Sequence, residues 1–161
     1  MYADADGFEK KVIELLIAKK MTVSTAESCT GGLLSAFLTS VSGASEVLNE
    51  CIVTYSNEAK MRELGVKRET LDAFGAVSEQ TAREMAAGIC EKTGADVGIS
   101  VTGIAGPTGG TAQKPVGTVY IGVSVNGKAD ASLFHFDGNR DEVRSQTCRE
   151  ALKMTAERLK F

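Results

Sequence analysis

A layered α/β domain with a mixed sheet is predicted by three observations. Apolar residues at helical spacing alternate along the chain with short β-branched runs. Asn126-Gly127 separates "VGTVYIGVSV" from "KADASLFHF", the strongest short hairpin signal, so an antiparallel pair joins the interleaved pattern. No internal repeat, low-complexity tract or linker breaks the 161 residues, the length of one domain (1–161) able to bury a sizeable core.

The elements follow in order. Phe8, Val12, Leu15 and Leu16 keep helical spacing, so residues 6–20 read as an amphipathic helix. "MTVST" reads as a short buried strand. Leu33, Leu34, Phe37, Leu38 and Val41 predict a second helix stopped by Gly43. "NECIVTY" is a strand, after which Ser56 or Asn57 caps a short helix ending at Gly65. Ser78 caps a longer helix on Ala82, Met85, Ala86 and Ile89. "DVGISVT" is a further strand, and the loop "GIAGPTGGTAQKP" leads from it to the hairpin. The last helix begins at Asn139, places Asp141 and Glu142 in its positive first turn, and runs on through Val143, Thr147, Ala151 and Met154.

Composition excludes several function classes. A net charge of −3 carries no electrostatic footprint for nucleic acid. No apolar run approaches the roughly 20 residues that span a bilayer. The start, "MYADADGFEKKVIELL", is acidic ahead of its apolar residues, the reverse of a secretory signal, so a cytoplasmic location is expected. Cys29, Cys51, Cys90 and Cys148 form no C-x-x-C pair, and His135 is the single histidine. A zinc site of sequence-local ligands is therefore not expected, and the cysteines read as small buried hydrophobes.

Four places could carry chemistry. "TAESCTGG" puts Ser28 where a strand hands over to a helix. There its hydroxyl would lie beside unpartnered N–H donors, as acyl transfer requires, while Gly31 and Gly32 would let a substrate approach the backbone. The plainer reading makes Ser28 or Thr30 an N-cap and the glycines packing residues. A nucleophilic serine needs a base, and Lys60 in "TYSNEAK" is a better candidate than His135, since desolvation lowers a lysine pKa. Tyr55, at the preceding strand end, could orient or relay the proton. Otherwise Lys60 is a solvated helix lysine and Tyr55 a half-buried strand aromatic. The loop "TGIAGPTGGTAQKP" gathers Gly103, Gly106, Gly109, Gly110, Lys114 and both prolines, a partly rigid run of backbone donors suited to an anion or a planar amide. Arg140 and Arg144, one helical turn apart, either clamp a phosphate or pair with nearby carboxylates.

Taken together, "TAESCTGG", "GAS", "VTYSNEAK", "GAVS" and "VTGIAGPTGGTAQKPVGTVYIG" resemble, in family order, the C-terminal domain of the competence/damage-inducible protein CinA. The likeness runs from about residue 8 to the final helix, and the chain looks like the stand-alone form without the N-terminal domain. The resemblance implies a three-layer α/β/α sandwich, no cofactor and no required metal, and a homo-oligomer, a dimer being the expected form. It implies an amidohydrolase that converts nicotinamide mononucleotide to nicotinic acid mononucleotide and ammonia. On this resemblance Ser28 is the nucleophile, Lys60 the general base and Tyr55 its hydrogen-bonded helper. Cys29, Thr30, Gly31, Gly32, Thr102, Gly103, Gly106 and Gly109 cradle the substrate, and Arg140 meets the phosphate. The rival readings are a non-catalytic nucleotide-binding module and an amidase for another small amide.

Overall fold

The computed structural model describes residues 5–160; residues 1–4 and 161 of the expected 1–161 domain lie outside them. The elements run α1 Phe8–Lys19, β1 Val23–Glu27, α2 Leu33–Thr39, a 3-10 turn Ala44–Glu46, β2 Leu48–Val53, α3 Asn57–Leu64, α4 Arg68–Phe74, α5 Glu79–Thr93, β3 Val97–Gly103, β4 Thr118–Val125, β5 Lys128–His135 and α6 Arg140–Leu159. The five strands form one sheet in the order β2-β1-β3-β4-β5. The β2, β1 and β3 strands are parallel, whereas β4 and β5 add antiparallel, which makes the sheet mixed.

Helices cover both faces. Val12, Ile13 and Leu16 of α1, Leu34 and Leu38 of α2, and Val143, Ala151 and Leu152 of α6 pack with Ile99, Val101 and Ile121 of the sheet into one core. On the opposite face, Leu64 of α3, Leu71 of α4, and Met85 and Ile89 of α5 enclose Ala26 of β1. This is the three-layer α/β/α arrangement that the resemblance implied. Among the described residues no helix is long and apolar enough to cross a membrane.

Local signals place most boundaries. Ser56, rather than Asn57, caps α3, its hydroxyl accepting from the Ala59 amide. Ser78 caps α5 in the same way. Asn139 and Glu142 form a reciprocal capping box at the start of α6. Asn126 and Gly127 both adopt positive φ, 49° and 82°, as a two-residue hairpin turn requires.

Three expectations are corrected. The second helix ends at Thr39 rather than running on to Gly43, and Val41 packs on the core from a turn. Helix α4 was not foreseen, because its Lys67 cap offers no side-chain hydrogen bond and its seven residues leave one buried anchor, Leu71. Of the four cysteines, Cys29 and Cys148 are buried, but Cys51 is exposed on the edge strand β2 and Cys90 is only partly covered.

Helix α5 lies so close to the end of α3 that only a glycine fits between them. A Cβ on Gly88 would stand 1.9 Å from the Leu64 carbonyl oxygen. Inside a helix, alanine normally stabilises by about 1 kcal/mol relative to glycine. Here the contact is with backbone, which cannot swing aside. We expect Gly88→Ala to destabilise the fold by about 3 kcal/mol. Urea unfolding checks this, and an unchanged or higher midpoint would refute it.

Candidate active site

The site forms where the parallel strands end, the edge at which open α/β sheets place ligands. Ser28 follows β1 directly, and its amide donates to the Val101 carbonyl of β3 (3.1 Å), which fixes it beside the sheet. Lys60 projects from α3 and is 2 % exposed. Its Nζ donates to Ser28 Oγ at 3.0 Å and to the Thr54 carbonyl at 2.8 Å, with the Tyr55 carbonyl at 3.5 Å. Nζ is thus ringed by two main-chain carbonyls and one hydroxyl, with no carboxylate to hold a charge on it. Once the ammonium loses a proton, its two remaining N–H groups can stay on the carbonyls and its lone pair can receive the Ser28 proton. Burial pushes the Lys60 pKa below its ordinary value, partly opposed by Cys29. Sequence reading left Lys60 open between a solvated helix lysine and a base; the fold buries it against the serine.

A cavity of about 260 Å³ opens over this pair. Its walls include Ser28, Cys29, Tyr55, Asn57, Thr102 and Gly103, with Ala105, Gly106, Thr108, Gly109 and Arg140 on the far side. The Thr102 hydroxyl donates to the Ala76 carbonyl (2.8 Å), tying β3 to the turn before α5. Gly106 has φ +80°, and a Cβ there would meet Val116 Cγ1 at 2.4 Å, so the loop can fold this way only around glycine. Among the described residues the N–H groups of Ala105, Gly106, Thr108 and Gly109 meet no acceptor. Lys114 stands outside the cavity and fastens the loop to α4, its Nζ donating to the Phe74 carbonyl (2.7 Å).

Arg140 reaches across the mouth, donating to the Gly106 carbonyl (2.7 Å) and to the Tyr55 hydroxyl (3.0 Å). Among the described residues it forms no ion pair, so its charge faces the cavity uncancelled. Tyr55 is 62 % exposed as a residue, and its hydroxyl accepts from Arg140. What Lys60 meets of Tyr55 is the main-chain carbonyl, so the phenol is not placed as a proton relay to the lysine.

The turn after Ser28 departs from expectation. Thr30, Gly31 and Gly32 do not line the cavity. Helix α2 begins only at Leu33, and its N-terminal amides are occupied by the carboxylate of Glu27. Glu27 Oε1 accepts from the Thr30 hydroxyl (2.6 Å) and the amides of Gly32 (3.2 Å) and Leu34 (2.9 Å). Its Oε2 accepts from the amide (3.1 Å) and hydroxyl of Ser35. Neither Ser28 nor Thr30 is the helix cap, and the helix terminus is not available to a substrate. Glu27 was missed because an N-cap is sought one residue before the helix, and it stands six before Leu33. Arg144 does not line the cavity, and it takes the other expected course in part, its Nη1 lying 3.7 Å from the Asp141 carboxylate. It donates to the carbonyls of Cys29 (3.2 Å) and Thr30 (2.8 Å).

Cys29 does not compete with Ser28. Burial and the Glu27 charge push its thiol pKa up to about 12, leaving almost no thiolate. His135 stands exposed at the end of β5, outside the cavity. Among the described residues no three His, Cys, Asp or Glu side chains gather as a metal site would need.

Comparison with known proteins agrees with this architecture. The family model of the CinA C-terminal domain matches residues 5–159. A CinA-like protein from Kosmotoga olearia is 52% identical over 147 residues, covering 91% of this chain and 36% of that protein. A competence-damage inducible protein of Clostridium perfringens is 56% identical over 144 residues, covering 89% and 35%. The chain thus spans about a third of the length of these curated relatives. Among solved structures, the competence/damage inducible protein CihA from Agrobacterium tumefaciens superposes with a TM-score of 0.94 at 42% identity, covering 100% of this chain and 99% of that one. A CinA superfamily protein from Klebsiella pneumoniae superposes with a TM-score of 0.94 at 36% identity, covering 98% and 99%. With its fold, its motifs and nearly its whole length matched, the chain belongs to the CinA C-terminal domain family.

Proposed function

We propose that the protein is a serine–lysine amidohydrolase acting on nicotinamide mononucleotide. The observation that carries the reading is the 3.0 Å contact between Ser28 Oγ and a buried Lys60 whose other partners are carbonyls. In the first step Ser28 Oγ attacks the carboxamide carbon while Lys60 takes its proton. The tetrahedral adduct collapses, Lys60 returns the proton to nitrogen, and ammonia leaves an acyl-enzyme. Water then attacks the ester, Lys60 again serving as base, and the carboxylate product departs with Ser28 restored.

The mononucleotide is favoured over a bare amide by the cavity's far side. Unpaired Arg140 and the open amides of Gly106, Thr108 and Gly109 make a cradle for a dianionic phosphate. The reading carries with it the cytoplasmic location and the homodimer implied by the resemblance.

Ammonia release from nicotinamide mononucleotide, its riboside and free nicotinamide tests this directly. The mononucleotide should turn over best, and equal rates for all three would refute phosphate recognition. Arg140→Ala should raise KM for the mononucleotide about 10- to 100-fold, the worth of one charged hydrogen-bonding group, and leave the riboside unchanged. An equal loss on both substrates would place Arg140 elsewhere in the reaction.

A further inference from the structure

We infer that Glu27 and Arg144 are positioning residues, a brace that holds the 28–32 turn in the one conformation that presents Ser28 to Lys60. This rests on the nucleophile reading of Ser28. The peptide planes around that serine are fixed one by one. Its own N–H is held by the Val101 carbonyl, and its C=O accepts from the Gly31 amide at 3.0 Å. The next two carbonyls, of Cys29 and Thr30, are turned toward the Arg144 guanidinium. A guanidinium presents its donors in a fixed planar fork, so gripping two successive carbonyls orients both planes together.

In a trans peptide the N–H points opposite to its C=O. Holding the carbonyls of Ser28 and Cys29 therefore sets the directions of the Cys29 and Thr30 amides. Among the described residues the Thr30 amide meets no acceptor, and the Cys29 amide meets only the sulfur of its own side chain. They are the open donors in the chain next to the nucleophile, and they stand in for the helix terminus that Glu27 occupies. Of the two residues Cys29 lines the cavity, and an oxyanion forming on the substrate would find a donor in its amide.

Glu27 secures the other end of the turn. It is fully buried, and among the described residues it pairs with no cation. Five donors from Thr30, Gly32, Leu34 and Ser35 replace its hydration. A lone buried charge so thoroughly solvated by one turn and one helix start is a costly device if it only caps seven residues of helix. Both oxygens face donors, so the site calls for a carboxylate and not an amide. A negative charge one residue from Ser28 does not favour an oxyanion forming there, and Glu27 does not line the cavity. What it contributes is position.

The experiment compares wild type, Glu27→Gln, Arg144→Ala and Ser28→Ala. It reads kcat and KM for ammonia release from nicotinamide mononucleotide, the pH profile, and amide hydrogen exchange over residues 28–35. Glu27→Gln places an NH2 group against donors. It should lower kcat about 10- to 100-fold, the usual cost of a misplaced reacting group, with KM within about twofold and the Lys60 limb of the pH profile unmoved. Arg144→Ala should do the same, and millimolar methylguanidinium should restore part of its kcat. In both variants the 28–35 amides should exchange faster than in wild type. Wild-type kcat in either folded variant would overturn the brace, as would a faster Glu27→Gln enzyme, which would make charge the relevant property. Should wild type release no ammonia, or Ser28→Ala retain it, the nucleophile reading fails on its own. Exchange then judges the brace: unchanged protection over 28–35 overturns it, and faster exchange in both variants upholds it.

Discussion

Ser28→Ala is expected to lower kcat for ammonia release at least about 10⁴-fold while leaving nucleotide affinity and thermal stability near wild type. The size of the loss follows from the role. Without Oγ no acyl-enzyme forms, and the remaining cavity can only position water. The retention of binding follows from geometry, because neither Arg140 nor the 105–109 amides hydrogen-bond to the Ser28 side chain. Ser28 is almost fully buried and makes no contact on which the core depends, so its replacement by a smaller residue leaves the layers intact. Kinetics combined with calorimetric titration of the variant check both halves. Residual turnover within about tenfold of wild type would remove the serine from the chemistry. A protein that binds the mononucleotide yet shows no wild-type turnover would instead be the non-catalytic nucleotide-binding module.

Lys60→Met should match that loss and, in addition, change two pH dependences. Wild-type kcat/KM rises as pH climbs through the lowered pKa of Lys60, because only the neutral amine accepts the serine proton. The methionine variant keeps no such limb. Stability moves with the same group. Between the lowered folded pKa and the ordinary value of 10.5, the unfolded chain holds a proton on Lys60 that the folded chain does not. Stability therefore increases with pH across that window. Below it both states are charged, and the full cost of burying the ammonium is present. Above it both are neutral and the cost is gone. Methionine is similar in length and carries no charge, so the advantage in Tm of Lys60→Met over wild type should be greatest near neutral pH and shrink as the buffer approaches about pH 10. A difference independent of pH would mean that Lys60 is as readily protonated inside the protein as in water.

The residues differ in how far each could be understood before folding. Ser56, Ser78 and Asn139 announce helix starts, and each cap acts on an amide three positions away. Asn126-Gly127 announces the hairpin because positive φ is a property of those residues themselves. The alternation of apolar and β-branched runs announces layers, since each element has one face or stripe to bury. These signals act within a turn of helix or a pair of residues, so the sequence by itself determined most of the elements, the α/β class and the family motifs, while α4, with one buried anchor and no side-chain cap, escaped it.

The site was decided elsewhere. Ser28 and Lys60 are 32 positions apart, and the burial that sets one against the other comes from β1, β2 and α3 closing together. Arg144 lies 115 positions from the Cys29 carbonyl it holds, and nothing near it in the chain distinguishes it from Arg140, one turn earlier. Helix rotation against the sheet sends one guanidinium across the cavity mouth and the other beneath the serine turn. Glu27 reads as one more polar residue in a strand until α2 folds back and lays its first amides on the carboxylate. Burial, charge isolation and hydrogen-bond direction are properties of neighbours distant in the chain, and only the tertiary structure chooses those neighbours.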